Sequence, residues 1–336
     1  MHMSDALVSP GVGGALWAVA AGTGALAARR LERAGDDRKV PLMGVLGAFV
    51  FACQMVNFSI PGTGSSGHLG GGLLLSILLG ADAAFLVMGC VLAVQALFFA
   101  DGGLLALGCN VVNLGLVTSS LAYPLLWKPI AGRDPSRARL VAASLVAAVV
   151  GLQLGALAVV LETSASRIST LPFRSFLLLM QPIHLAIGIV EGIVTGAVVL
   201  VVREARPEIV AGASSRGSWR PLVTGLAAAA ALAGGVLSSF ASTKPDGLEW
   251  AAARAAPATL PQPESAIHRL LARVQRLTAH FPDYHLARPP AAPDPEAARP
   301  GLQPGTSLAG LVGALLSLML VAGVGIGLRA AWRPPR

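Results

Sequence analysis

Residues 175–202 read SFLLLMQPIHLAIGIVEGIVTGAVVLVV, a run in which His184 and Glu191 are the only ionisable side chains. Rising about 1.5 Å per residue, such a run is long enough to cross the ~30 Å hydrocarbon layer of a bilayer as one helix. Eight further apolar runs surround it, at 11–28, 41–57, 69–80, 83–100, 104–127, 139–161, 221–240 and 307–328. Hydrophobic residues make up 54% of the chain and charged ones 12%, where a soluble domain carries about 25% charge. Mean hydropathy is +0.69. The expected fold is all-α, a polytopic membrane helical bundle of about nine transmembrane segments, seven plus two. Segment 69–80 is short and opens near Gly70-Gly71-Gly72, so it is expected to be tilted, re-entrant or joined to its successor as a hairpin. Cys53, Cys90 and Cys109 fall inside apolar runs without CxxC spacing and read as small buried hydrophobes.

The formal charge of +8 is explained by topology before any acidic partner is needed, and no nucleic acid is expected. Most of the 25 lysines and arginines lie in alternate connections. These are Arg29, Arg30, Arg33, Arg38 and Lys39; Lys128, Arg133, Arg137 and Arg139; Arg203, Arg206, Arg216 and Arg220; and Arg329, Arg333 and Arg336. Connections 58–68 and 101–103 carry none, and 162–174 carries Arg167 and Arg174. The positive-inside rule then places the N-terminus outside and the C-terminus in the cytoplasm. Residues 1–205 are expected to form a seven-span module and 206–220 a polar cytoplasmic linker. Residues 221–336 form a two-span module around an Ala- and Pro-rich extracytoplasmic segment, 241–306. Within that segment Ile267, Leu270, Leu271, Val274 and Leu277 recur at helical spacing, with Arg269, Arg273 and Arg276 off the stripe. The pattern predicts a short amphipathic helix packed on the core or the membrane surface.

The residues that suggest chemistry begin at Met1-His2-Met3. His2 is too bulky for the usual removal of an initiator methionine, so Met1 is expected to stay. Its free α-amine, the amide nitrogen of residue 2 and the His2 imidazole can close two fused chelate rings on one metal ion. His68, outside as well, is a candidate fourth nitrogen, and four nitrogens in a plane favour Ni(II) or Cu(II). His68 ends the stretch Ile60-Pro61-Gly62-Thr63-Gly64-Ser65-Ser66-Gly67-His68, a near miss to a phosphate loop. There His68 stands where lysine is required and Leu69 where serine or threonine is; the stretch reads instead as a tight loop aiming an imidazole. Ser66 and Asn57 are candidates for orienting a ligand. Asn110 and Asn113 share a helix face, as cavity residues or as packing contacts between helices. His184 and Glu191 stand two turns apart and are expected to pair or to couple helices rather than form a second metal site. His268, His280 and His285 read as solvated. A metal-ligating imidazole must be neutral, so binding is expected to weaken below about pH 6. No HExxH, GxSxG or Walker motif is present, so no catalytic residue is assigned and no enzyme is expected.

Several blocks together resemble a known family. Met1-His2-Met3-Ser4-Asp5 through Ser9-Pro10 resembles the N-terminus of the nickel/cobalt substrate-binding components of energy-coupling factor (ECF-type) ABC transporters, the CbiM/NikM family. Val56-Asn57-Phe58-Ser59-Ile60-Pro61 with Ser66-Gly67-His68-Leu69 is similar to a second signature of that family, and Gln95 to Leu104 with Gly108-Cys109-Asn110 to a third. His184 to Gly188 with Glu191-Gly192 resembles a late-helix signature. Pro245-Asp246-Gly247-Leu248-Glu249 resembles the small CbiN/NikN partner, here fused behind the first module. The resemblance implies a transported ion, Ni(II) or alternatively Co(II), held by the Met1 amine, the His2 amide and imidazole, and the His68 imidazole. It also implies a transmembrane coupling subunit (T component) and two cytoplasmic ABC ATPases as partners, in the cytoplasmic membrane of a bacterium or archaeon. Ser4 and Ala6 depart from the family's usual proline and glycine; Asp5 and Ser9-Pro10 side with its nickel branch. The alternative is a stand-alone secondary nickel/cobalt permease.

Overall fold

A computed structural model describes residues 2–35, 39–210, 219–256, 265–285 and 304–332. After a short 3-10 turn, Asp5–Leu7, helix α1 runs over Pro10–Ala34. The Ser9 side chain accepts from Val12 N–H at its start, Pro10 occupies the first turn, and Gly35 at φ 61° closes it, the expected division of labour between the two ends. Helix α2 spans Lys39–Gln54. A small antiparallel hairpin follows, β1 (Phe58–Ile60) and β2 (Ser65–Gly67), with Ser59 opposite Ser66. Then come α3 (Gly72–Leu79), α4 (Ala81–Phe98), α5 (Leu107–Ala131), α6 (Arg137–Ser166) and α7 (Phe173–Ala205). The remainder comprises α8 (Arg220–Phe240), α9 (Gly247–Ala255), α10 (Ala266–Thr278) and α11 (Pro304–Trp332).

The fold is the all-α membrane bundle expected, but its crossings are unequal. Among the described residues seven helices (α1, α4, α5, α6, α7, α8 and α11) are long and apolar enough to cross a membrane. Helix α2 has 16 residues, and the segment expected as a third span is helical only over the 8 residues of α3. The reason is the glycine run. Gly71 sits at φ +77°, and a Cβ there would meet Val50 at 2.6 Å. A Cβ on Gly72 would meet Thr118 Oγ1 at 2.2 Å. Non-helical backbone can pass inside a membrane bundle only where protein encloses it and satisfies its polar groups, and only glycine is thin enough here. A second departure lies in α5, whose Val111–Trp127 portion is π-helical, wider than an α-helix and rare beyond a single turn. Pro124, which has no N–H to give, lies within it.

Close helix contacts are made through glycine. Gly188 and Gly192 of α7 face the Cα atoms of Val149 and Leu145 in α6, where a Cβ would come to 2.9 and 2.5 Å. This is the small-residue approach that substitutes for hydrophobic driving force in lipid. The second pair of spans packs on the first module, where Gly313 abuts the Phe51 ring, and within itself, where a Cβ on Gly310 would stand 2.1 Å from Gly234 O.

The basic connections gather at one end, where Arg30 meets Asp82 at 3.3 Å and Arg137 meets Glu204 at 2.8 Å. These exposed pairs contribute little to stability. The N-terminal tail, the 58–68 hairpin, the 99–106 turn and residues 242–256 and 265–285 are joined by hydrogen bonds at the other end.

Replacing Gly310 by Leu is expected to destabilise the bundle by about 1–3 kcal/mol through overpacking, read as a lower midpoint of thermal unfolding in detergent. Gly323, with nothing within 4 Å of its Cβ position, should accept Ala without such a shift.

Candidate metal-binding site

The N-terminal tail is tied down through its backbone. Met3 N–H donates to Asn110 Oδ1 at 2.8 Å, while Asn110 Nδ2 and Gly103 N–H donate to Met3 O at 3.1 and 3.0 Å. Ala106 N–H donates to Asp5 Oδ1 at 2.9 Å. Residue 2 is thereby presented at a fixed height, its side chain only 4% exposed, with Nδ1 2.8 Å from Asp101 Oδ2. Its Nε2 is buried without a hydrogen-bond partner. The His68 ring lies 4.9 Å from the His2 ring, centroid to centroid, at 30°. His68 Nδ1 faces its neighbour's carbonyl, Leu69 O, at 3.1 Å. Donation there leaves the lone pair on Nε2, the usual way a second contact orients a ligand imidazole. Met1 lies outside the described residues, and among those no group of three or more His, Cys, Asp and Glu side chains is arranged to hold a metal. Two imidazoles beside a backbone terminus are what this site offers.

His68 is aimed from both sides. Beneath it, Gly70 and Gly71 donate to Glu191 at 2.8 and 3.0 Å, and Gln54 Nε2 donates to Gly70 O at 2.7 Å, itself held by Gln95 at 2.8 Å. Above it, the second module closes over the hairpin. Ser66 N–H donates to Pro245 O and Ser66 Oγ to Lys244 O, both at 2.8 Å. Ser242 N–H donates to Asn57 O at 2.8 Å and Trp250 Nε1 to Thr63 O at 2.9 Å. Asp246 caps α9 in a reciprocal capping box with Glu249, and Gly247 is pressed against Ile183, where a Cβ would come to 2.5 Å. Tyr284 donates its hydroxyl to Asp101 and stacks on Phe99 at 5.0 Å. Cavities of about 520 and 290 Å³ share His2, Asp101, Asp246, Glu249 and Asp283 in their walls.

The electrostatics suit a cation. Burial, reinforced by the neighbouring His2, pushes His68 down to about 3, so its ring is neutral at ordinary pH and proton competition at His68 near pH 6 is not the limit the sequence suggested. Burial alone would raise Asp101, but the adjacent His2 holds it well below the usual carboxylate range. Burial raises Asp246 as well, and the Glu249 N–H bond is among the contacts that bring it down to about 2.

The structure brings together His2, His68, Asn57, Ser66 and Asn110, and separates the others. Asn113 turns away and donates to Glu162 at 2.9 Å. His184 and Glu191 are not a pair: His184 Nδ1 meets Met180 O at 2.8 Å while both Glu191 oxygens serve the glycine loop. Each couples α7 to a different neighbour, His184 to Gly247 of the second module and Glu191 to the 69–71 backbone. His268, expected to be solvated, is buried against Val8 O at 2.9 Å, whereas His280 is exposed. Asp101, Asp246 and Tyr284 were assigned no role from sequence. For Asp101 the available signal was an acidic residue on a connection, 101–103, that carries no lysine or arginine.

A family model described as "Cobalt uptake substrate-specific transmembrane region" matches residues 2–209, and a PDGLE domain model matches 220–330. A protein of Archaeoglobus fulgidus named as a fused nickel transport protein, NikMN, is 31% identical over 325 residues, covering 95% of this chain and 96% of its own. The cobalt transport protein CbiM of Geobacter sulfurreducens is 30% identical over 217 residues, 63% of this chain and 62% of its own. A crystal structure of a truncated transition metal transporter shares 28% identity at a TM-score of 0.54, covering 61% of this chain and 99% of that one.

Two outcomes follow for the metal-free protein. Asn110→Ala strands the buried Met3 amide, at about 1–3 kcal/mol, so hydrogen exchange over residues 2–8 should rise. Because His68 titrates lower folded (about 3) than unfolded (about 6.5), the unfolded chain takes up the proton first. This group's contribution to stability is therefore lost as pH falls below about 6.5. His68→Gln should flatten the pH dependence of the thermal midpoint between about pH 7 and 4.

Proposed function

The chain belongs to the CbiM family, with a CbiN-like PDGLE module fused behind it, and from that premise we propose that it is the metal-capturing membrane component of a nickel importer. The observation that carries this reading is the 4.9 Å approach of the His2 and His68 rings at a terminus clamped through Met3. The Met1 amine, the His2 amide and imidazole and the His68 imidazole are the proposed ligands. His2 chelates with its own amide through Nδ1, so loading exchanges the Asp101 contact for the metal. A planar set of four nitrogens supports Ni(II) over Co(II). Asn57, Ser66 and Asn110 act on the ligands through the backbone they hold.

Residues 1–205 are proposed as the module that holds the ion, 206–220 as a cytoplasmic linker, of which 211–218 lie outside the described residues, and 221–336 as the module that closes the site. The end bearing His2 faces outward and the arginine-rich end faces the cytoplasm. The gathering of basic connections at one end supports this orientation. Energy comes from a transmembrane coupling subunit and two cytoplasmic ATPases, since the chain carries no Walker motif of its own.

Inserting one residue before Met1 tests the site directly: the amine and imidazole no longer share a chelate, and Ni(II) binding should fall by at least the ~10–100-fold typical of perturbing a metal's supporting shell. Retained affinity would remove the terminus from the ligand set. Loading must release the amine and amide protons, so affinity should drop as pH is lowered from about 8 to 6; a flat titration would exclude an amide ligand. Uptake that persists in cells lacking every coupling ATPase would identify a secondary permease instead.

A further inference from the structure

Helix α10 divides its surface three ways. One face is bonded to the bundle, with His268 Nε2 on Val8 O at 2.9 Å and Gln275 Nε2 on Ala96 O and Gly102 O at 2.9 and 2.8 Å. A second face carries Arg269 and Arg276 along the cavity that also holds Asp246 and Glu249. The third is a stripe of Ile267, Leu270, Val274 and Leu277, exposed at 48, 61, 37 and 73%. Their spacing of three and four residues puts all four on one side.

The depth of the helix follows from what holds it. Val8 lies just before α1, Ala96 is in the last turn of α4, and Gly102 is in the turn that follows α4. These are the points at which the flanking spans end. A helix fastened to three span ends lies in the plane where hydrocarbon gives way to water. Its stripe points away from the cavity wall formed by Arg269 and Arg276, and Arg273 stands exposed between the two. Basic side chains flanking an apolar stripe at this depth are complementary to a lipid surface, with phosphates beside the arginines and acyl chains under the leucines.

We propose that α10 is an interfacial helix whose Ile267, Leu270, Val274 and Leu277 side chains insert into the bilayer surface at the His2 end of the bundle, with Arg273 at the level of the lipid phosphates. The partner of this surface is lipid. The segment that walls the cavity beside His2 is thereby moored on two sides, to the span ends by hydrogen bonds and to the membrane by its stripe. This inference is independent of which ion the cavity takes.

Nitroxide labels on L270C, L277C and R273C test it, each in a full-length chain with Cys53, Cys90 and Cys109 changed to Ala, in nanodiscs containing anionic and zwitterionic phospholipid. The expected result is a several-fold higher ratio of oxygen to chromium oxalate collisions at 270 and 277 than at 273. Equal ratios at the three sites would overturn the proposal. So would protection that appears only with two copies per disc, or only when another protein subunit is bound. Hydroxyl-radical footprinting of the unsubstituted chain gives a label-free reading. Leu270 and Leu277 should be oxidised as little as Leu125, a span residue 64% exposed on the bundle surface; oxidation several-fold above that would also overturn it.

Discussion

Two hydrogen bonds, from the Gly70 and Gly71 amides to the Glu191 carboxylate at 2.8 and 3.0 Å, set the conditions for the rest of this structure. Extended backbone inside a membrane bundle has no water to satisfy it, so every exposed amide must find a partner in the protein. Glu191 supplies two acceptors on the inward face of α7, and Gln54 supplies the donor that the Gly70 carbonyl needs. With those groups satisfied, the chain can leave the helical state after α2, descend beside α7 and resume as the short α3. His68 is the last residue before that descent, and its imidazole is fixed because the backbone on its far side cannot move without stranding two buried amides.

The same constraint explains why a second module sits where it does. The hairpin that carries His68 is only three residues a side, too little for a stable structure of its own. Its outer edge is completed by the Pro245 and Lys244 carbonyls and by Trp250, all from the region that follows α8. The polar groups of one module are thus the bonding partners of the other. The Tyr284–Asp101–His2 chain carries that dependence to the candidate ligand itself. A fused chain keeps both halves at a fixed stoichiometry, which suits an arrangement in which each half supplies hydrogen-bond partners to the other.

Much of this is legible in the sequence. The apolar runs located the spans, and the glycines at 70–72 marked an irregular crossing. The arginine count sorted the connections into two groups that the fold then gathers at opposite ends. Asn110, read as a cavity or packing residue, is the clamp on Met3, and Ser66 is the contact between modules. Where the sequence left alternatives open, one cause decided among them. His184 and Glu191 fall on one side of α7, and Asn110 and Asn113 on one side of α5, but a shared face names no partner. His184 bonds its own helix and Asn113 bonds α6, because the neighbouring helix at each height decides which donor meets which acceptor. His268 failed as a solvated residue for the same reason: its helix is pinned to Val8, 260 positions away in the chain.

The sequence alone determined which segments prefer lipid, which connections carry positive charge, and that a chain beginning Met-His holds three potential nitrogen donors within two residues. These are local properties, set by composition and by covalent chelate geometry. Only the tertiary structure decided that His68 comes within 4.9 Å of His2, that Glu191 serves backbone rather than His184, and that residues 242–252 and 268–285 wall the cavities beside His2. Those depend on distances between positions 66 to 260 apart in the chain, which hydrophobic periodicity cannot encode because it reports the apolar face of a helix and leaves the identity of its neighbour open.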